Sequence, residues 1–187
     1  MIVGLSFDDV LLEPKYSEIK SRSEIDIGSD LGDGLHFSIP IITAPMDTVT
    51  ESDMAGCMGM NGALGIIHRY NSIEEQAVLV RKSMSNLVKV GAAIGVQGDY
   101  LERAVELVEN GVSVLCLDVA HGHHVLVKDA LKELSKRIPS RVHLMAGNVA
   151  TKQAFYDLSD WGANSVRVGI GGGSICSKGR LIVTGKH

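Results

Sequence analysis

A glycine-rich loop that ends in a cysteine is the densest group of chemically useful residues in the chain. It reads Val168-Gly169-Ile170-Gly171-Gly172-Gly173-Ser174-Ile175-Cys176. Glycines let the backbone turn sharply and approach a ligand, and exposed N–H groups together with the Ser174 hydroxyl can bind a phosphate. Cysteine becomes a strong nucleophile when backbone dipoles or a nearby cation lower its pKa. The pattern indicates an anion-binding loop carrying a reactive Cys176, with a structural turn as the alternative.

A carboxylate ends one of the apolar runs. Asp118 follows Val114-Leu115-Cys116-Leu117, and a carboxylate in such a place can accept two hydrogen bonds from a ribose diol. The alternative is that Asp118 caps the next helix. Three histidines at 121, 123 and 124 raise the question of a metal, but no second carboxylate or thiol has the spacing of a closed site. A sugar contact is therefore the favoured role of Asp118.

Other polar residues follow other apolar runs. Asn148 comes after Ala146-Gly147 and could orient a ligand or form a turn. Asp47 could contact a ligand or cap the following helix, while His68 and Arg69 are expected to make only local hydrogen bonds. These residues share one property, which is that each stands at the end of an apolar run.

Six short apolar runs have the length and composition of buried strands, at 39–44, 63–68, 88–95, 113–120, 142–146 and 165–170. Amphipathic segments lie between them, and the one that opens at Ser72 has a glutamate close behind, a pattern that favours a helix N-terminus. Strands alternating with helices predict an α/β fold with a parallel sheet.

The polar residues at the strand ends distinguish a barrel from a doubly wound sheet. In a (β/α)8 TIM barrel the site gathers loops from several strands, and that is the pattern of this chain. We therefore predict a barrel of which only six strands are present, because closure needs eight strands and typically about 250 residues. Residues 1–38 are expected to form an N-terminal cap and hairpin, residues 39–187 the partial barrel, and 71–90 leave no room for an inserted domain.

Charge, hydropathy and cysteine content indicate which kinds of partner and which cellular setting the chain is suited to. A formal net charge of -4 gives no basic field for a nucleic acid, and no apolar stretch approaches the roughly 20 residues of a membrane span. The start of the chain lacks the pattern of a secretory signal. Three cysteines without zinc spacing fit a reducing, cytoplasmic setting in which Cys57 and Cys116 pack as small apolar residues.

Six motifs, in this order along nearly the whole chain, resemble those of the IMP dehydrogenase and GMP reductase family. They are Phe7-Asp8-Asp9-Val10-Leu11-Leu12, Ala44-Pro45-Met46-Asp47-Thr48-Val49-Thr50-Glu51, Gly65-Ile66-Ile67-His68, Asp118-Val119-Ala120-His121-Gly122, Ala146-Gly147-Asn148-Val149-Ala150-Thr151 and Gly169 to Cys176. The resemblance implies a barrel enzyme, of a form without CBS domains, in which Cys176 adds to C2 of a purine nucleotide.

The same resemblance implies two related reactions. In IMP dehydrogenase a hydride leaves C2 for NAD, and hydrolysis of the thioimidate gives XMP. In GMP reductase ammonia leaves first, and NADPH supplies the hydride that yields IMP. The implied partners are IMP, XMP or GMP, with NAD or NADP as cofactor, and the family's usual assembly is a homotetramer.

Roles carried over by motif fall into three sets. On the substrate side Ser174 contacts the phosphate, with Gly173 in the same loop, and Met46 packs near the base. The residues that would lie near the cofactor and the reacting rings are Asp118, Asn148, Arg167, Gly169 and Gly171. In the dehydrogenases, backbone carbonyls matching Gly171, Gly173 and Cys176 coordinate a potassium ion.

Some sequence features favour one of the two activities over the other, and others differ from the family pattern. The stretches 44–51 and 146–151 look more like dehydrogenases, whereas Lys20-Ser21-Arg22-Ser23 and the missing CBS insertion look more like reductases; the dehydrogenase is favoured. After Cys176 an apparent insertion puts Lys178 in place of a threonine that takes part in the chemistry, and the last two barrel strands are expected to be missing. A second hypothesis is therefore a non-catalytic remnant that binds nucleotide or associates through unpaired strand edges.

Overall fold

The computed structural model describes residues 9–32, 34–84 and 88–169, together with the backbone of residues 182–185. The helices in these ranges are α1 Ser52–Met60, α2 Ile73–Ser83, α3 Tyr100–Glu109, α4 Val125–Arg137 and α5 Lys152–Asp160, with a short 3-10 helix at Arg22–Glu24. The strands are β1 Ser29–Asp30, β2 His36–Phe37, β3 Ile66–Ile67, β4 Gly91–Ile94, β5 Val114–Asp118, β6 His143–Val149, β7 Ser165–Val168 and β8 Ile182–Gly185. Helices and strands alternate from β3 to β7, as the apolar runs predict.

The main sheet has the strand order β3-β4-β5-β6-β7-β8, and β3 to β7 are parallel. One helix, from α2 to α5, connects each parallel strand to the next. A doubly wound sheet reverses its strand order at a switch point, whereas these strands follow chain order throughout. The sheet is therefore five consecutive βα strands in the order of a TIM barrel, which agrees with the predicted partial barrel.

The predicted first strand at 39–44 is too long. Only Ile42 pairs there, in a single parallel bridge with Leu64. The Thr43 hydroxyl accepts a hydrogen bond from Ile66 N (3.0 Å), so a side chain takes the place that a ladder carbonyl would have. Because a side chain ends the ladder, this segment lies beside β3 without becoming a regular strand.

The outer edge of β7 is covered. The expectation of an unpaired edge there is wrong, because β8 pairs with β7 in antiparallel register, from Ser165 opposite Gly185 to Val168 opposite Ile182. The run Ile182-Val183-Thr184 is β-branched throughout, a composition that favours strands. The sequence interpretation treated this run as part of an insertion and missed the strand.

Successive residues of the strands face two different cores, as alternation in a strand requires. One face packs against the helices, and its members include Ile67, Ala92, Ile94, Leu115, Leu117, Leu144, Ala146 and Val166. The other face is covered by Leu31, Leu35 and Phe37 and consists of Leu64, Ile66, Ala93, Val114, Cys116 and Met145. Since these three covering residues belong to the β1–β2 hairpin and its turn, the hairpin closes the second core. The domain boundary at residue 38 stays a prediction.

Side chains of α2 and α3 fix the loop that follows β3. Ser72 Oγ accepts from Glu75 N (3.1 Å) and Glu75 Oε2 accepts from Ser72 N (3.0 Å), which confirms the predicted helix start. The buried Gln76 amide donates to His68 O (2.9 Å) and to Ala93 O (2.8 Å), and Arg103 donates to Gln76 Oε1 (2.9 Å). This network ties the ends of β3 and β4 to the two helices.

Two of the cysteines can be compared with their predicted packing. Cys116 is buried as predicted, whereas the prediction for Cys57 is wrong because it is exposed on α1. The pattern around Cys57 is helical, but helical periodicity alone did not show which side faces solvent. Among the described residues, the helices are all too short or too polar to cross a membrane.

Close packing of α1 against β3 leads to a stability prediction. A Cβ at Gly65 would lie 2.4 Å from Ala55 Cα, whereas one at Gly95 would meet nothing nearer than 3.5 Å. We expect Gly65→Ala to lower the free energy of unfolding by about 1–3 kcal/mol through overpacking, and Gly95→Ala to change it little. Urea unfolding of both variants provides the measurement, and equal midpoints would contradict the packing described for α1.

Candidate active site

Three residues on neighbouring strands form one row across the sheet. Asp118 on β5 is in register with Gly147 on β6, and Gly147 is in register with Arg167 on β7. They lie on the face that the hairpin covers, and Asp118 and Gly147 come two residues after Cys116 and Met145 on their strands. The apolar core of that face therefore ends where this polar row begins, at the carboxyl ends of the strands.

The guanidinium of Arg167 reaches across β6 to β5. Its Nη1 donates to Asp118 Oδ1 (2.8 Å) and lies 3.3 Å from Cys116 Sγ. Gly147 stands between the two partners, and a Cβ there would lie 2.5 Å from Arg167 Cβ and 2.7 Å from Arg167 O. The lack of a side chain at Gly147 is thus what lets Arg167 pass over β6.

This ion pair is almost fully buried, with 1% of Asp118 and 3% of Arg167 exposed. Burial by itself lowers the pKa of Arg167, but the Cys116 sulfur and the Asp118 carboxylate raise it by more, so the pKa lies above its ordinary value. The guanidinium therefore stays charged. A charge buried at this depth requires a partner of opposite sign, and Asp118 supplies it.

Asn148 and Gly169 meet beside this row. The buried Asn148 amide donates to Gly169 O (3.1 Å), and Gly169 N donates to Val149 O (2.8 Å). Gly169 has φ 134°, a conformation that favours glycine. The backbone leaving β7 is thereby held against the end of β6 just before the cysteine loop.

The two alternative roles for Asp118 and Asp47 as helix caps are wrong. The N-cap of α4 is His124, whose Nδ1 accepts from Leu126 N (3.2 Å), while Asp118 lies on the sheet and pairs with Arg167. The N-cap of α1 is Glu51. Asp47 instead accepts a hydrogen bond from Thr48 N (2.9 Å) at the strand-end loop.

A cavity of about 560 Å³ lies next to the loop that contains Asp47. Its lining residues are Asp47, Glu51, His68, Tyr70, Asn71, Glu74, Glu75, Val78 and Leu79. His68 accepts from Tyr70 N (3.1 Å) and its Nε2 lies 3.4 Å from Glu51 Oε1, so its hydrogen bonds are local, as predicted. Four carboxylates make the cavity unsuitable for a phosphate. Met46, from the same loop, is 48% exposed.

The cysteine loop itself lies outside the described residues. Gly171, Gly173, Ser174 and Cys176 belong to it, so the predicted phosphate, thiol and potassium contacts stay predictions. The structure brings together Asp118, Asn148, Arg167 and Gly169. Within the part of the chain that it describes, no group of three or more His, Cys, Asp and Glu side chains could hold a metal ion.

Sequence reasoning missed the contact of Cys116 with Arg167. Cys116 was assigned to the apolar core, yet it shares a face with Asp118 because the two are separated by two positions on one strand. That spacing was visible in the sequence. The partner on β7 was not, since it lies 51 residues further along the chain.

Comparison with known proteins agrees with this architecture. A family model described as IMP dehydrogenase / GMP reductase domain matches residues 4–186. The chain belongs to this family. The (β/α)8 barrel of the IMP dehydrogenase / GMP reductase domain accounts for the sequential strand order, of which the described part of this chain contains five parallel members.

The relatives include proteins named for each of the two activities. The chain is 36% identical to an inosine-5'-monophosphate dehydrogenase of Cryptosporidium parvum, with 93% of the chain and 53% of that protein covered. It is 32% identical to the same enzyme of Borreliella burgdorferi, with 93% and 55% covered. It is 33% identical to a GMP reductase of Delftia acidovorans, with 91% and 52% covered. The chain spans about half the length of these relatives.

The effect of the buried Asp118–Arg167 pair on stability can be tested by removing one charge or both. We expect Arg167→Met to lower the free energy of unfolding by about 3–5 kcal/mol, because it leaves Asp118 buried without a partner. The double variant Asp118→Leu/Arg167→Met is expected to be more stable than the single one, since no charge remains buried. Urea unfolding of both variants measures this, and a double variant that loses still more stability would contradict the electrostatic explanation.

Proposed function

We propose that the chain carries the nucleotide half-site of a purine nucleotide oxidoreductase, most like IMP dehydrogenase. The observation that carries the proposal is the buried row of Asp118, Gly147 and Arg167 at the carboxyl ends of adjacent strands, directly before a loop that ends in Cys176. Barrel enzymes place their chemistry at this end of the strands. The match to the family model over residues 4–186 supports the same reading.

In the proposed reaction the Cys176 thiolate forms a bond to C2 of IMP. NAD supplies the acceptor for the hydride that leaves C2. The product of this step is a thioimidate on Cys176, and water then adds to C2 and releases the thiol, which gives XMP. The reaction therefore consumes one IMP, one NAD and one water and returns the free cysteine.

The described residues supply acceptors and donors at fixed positions for this chemistry. Asp118 is paired with Arg167, and its carboxylate oxygens can accept hydrogen bonds from ribose or from the nicotinamide half of the cofactor. Asn148 and Gly169 orient the start of the cysteine loop beside the reacting rings. The remaining assignments are Met46 near the base, Ser174 and Gly173 on the nucleotide, and Gly171 near the cofactor.

Several finer assignments belong to the same proposal. Potassium would be bound by the backbone carbonyls of Gly171, Gly173 and Cys176. The assembly would be a homotetramer in the cytoplasm, where a reducing environment keeps the thiol free. The chain would consist of a hairpin segment at 1–38 and a barrel segment at 39–187 without a CBS domain, and neither a nucleic acid nor a membrane would be a partner.

GMP reductase is the second candidate. The relative from Delftia acidovorans supports it, because its identity of 33% is close to that of the dehydrogenases. Turnover with IMP and NAD against turnover with GMP and NADPH separates the two. Nucleotide binding without turnover of either pair would favour the third possibility, a non-catalytic binding or assembly remnant.

The reactive thiol gives a direct test. A 6-chloropurine nucleotide should form a covalent adduct with Cys176, because the thiolate of a bound complex can displace chloride from C6 and form a C6–S bond. We expect one adduct by mass spectrometry of the intact protein, and its loss in Cys176→Ala.

Cys57 provides the matched control, because it is exposed on α1 and distant in sequence from the loop. Iodoacetamide should modify Cys57 readily, whereas the nucleotide reagent should give the same adduct in wild type and Cys57→Ser. Excess IMP should protect the adduct site. The absence of labelling on a folded sample would remove the proposed nucleotide site.

A further inference from the structure

The loop from Val119 to His124 begins directly after Asp118 and is bound along one side to β6. Val119 N donates to Gly147 O (3.1 Å), Asn148 N donates to Val119 O (2.9 Å) and Gly122 N donates to Asn148 O (2.7 Å). A Cβ at Gly122 would lie 3.0 Å from Asn148 O and 3.1 Å from Gly147 Cα, so a larger residue would push the loop away. The position of this loop therefore determines where Asn148 lies relative to Asp118.

One side chain, His123, attaches the other side of the loop to α5. Its Nε2 lies 2.7 Å from Asp157 Oδ2, and its ring stacks on Trp161 with centroids 5.7 Å apart and an angle of 25°. Gln153 Nε2 donates to Asp157 Oδ1 (2.8 Å). Hydrogen bonds from Gln153 and then from His123 lower the pKa of Asp157, so its carboxylate stays an acceptor at neutral pH.

These contacts link elements that flank the polar row. The loop follows β5, and α5 follows β6 after only two residues, so a link from the loop to α5 fixes both strand ends against each other. Lys128 of α4 lies 5.7 Å above the Trp161 ring and adds a second contact to the same helix terminus. His123 is the loop residue whose side chain forms a hydrogen bond with α5.

The His123–Asp157 pair has little effect on global stability. The two side chains are 34% and 29% exposed, and a contact between side chains this open to solvent adds little to the stability of the whole fold. Its influence is therefore on orientation within the loop.

We propose that His123 is a positioning residue of the nucleotide site, which holds the Val119–His124 loop against β6 and thereby fixes the spacing of Asp118 and Asn148. The effect on ligand binding rests on the proposed function. The effect on the loop does not, so the two can be measured separately.

The test compares His123→Ala with His121→Ala. His121 is in the same loop, is exposed, and has no side-chain contact among the described residues, which makes it a matched control. We expect His123→Ala to raise hydrogen exchange at the amides of Gly122 and Asn148 by about tenfold or more, since opening of the loop breaks their bonds. His121→Ala should exchange like the wild type.

Nucleotide binding and thermal unfolding complete the test. The Kd for IMP, measured by titration calorimetry, should rise about three- to tenfold in His123→Ala, stay unchanged in His121→Ala and recover in part in His123→Gln, whose amide can donate to Asp157. The Tm should change by less than about 4 °C, because the contact of His123 with Asp157 is partly exposed to solvent.

Two results would overturn the inference. One is unchanged exchange at Gly122 and Asn148 in His123→Ala. The other is a large loss of Tm with faster exchange throughout the chain, which would show that His123 acts on the whole fold. If wild type fails to bind IMP, the proposed function is lost, while the exchange rates still decide whether His123 positions the loop.

Discussion

The buried ion pair between Arg167 and Asp118 is the interaction on which the proposed site depends. It spans three strands, so it requires that β5, β6 and β7 keep one register and that position 147 carries no side chain. A slip of one residue would turn Arg167 to the helix-facing side of the sheet and leave Asp118 buried and unpaired. The cost of that state makes the pair a strong constraint on how the strand ends align.

The face of the sheet that carries this pair changes character along its length. Near the strand starts it is filled by Ile66, Val114 and Met145 and covered by the hairpin, which excludes water from that end. Beyond Met145 the polar row begins. The strand residues of the opposite face are apolar and pack against the helices. The apolar part of this face, from which water is excluded, therefore holds the charged side chains at the carboxyl ends in fixed positions.

The sequence predicted well what local patterns control. The alternation of apolar runs with helices, the capping box at Ser72 and the position of Asp118 at a strand end all follow from residues within a few positions of one another. Predictions were wrong where distant elements decide. The strand at 39–44 is cut short by the Thr43 hydroxyl, β8 pairs antiparallel with β7, and Cys57 is exposed because no described element covers that side of α1.

The amino-acid sequence by itself determined the α/β class, the alternation of strands and helices from β3 to β7 and the family, because these depend on periodicity and on motifs read along the chain. The tertiary structure alone decided which polar side chains meet. Asp118 and Arg167 are 49 positions apart, and His123 and Asp157 are 34 apart. Hydrogen bonds act over about 3 Å whatever the separation in sequence, so only the packing of strands and helices could bring these partners together.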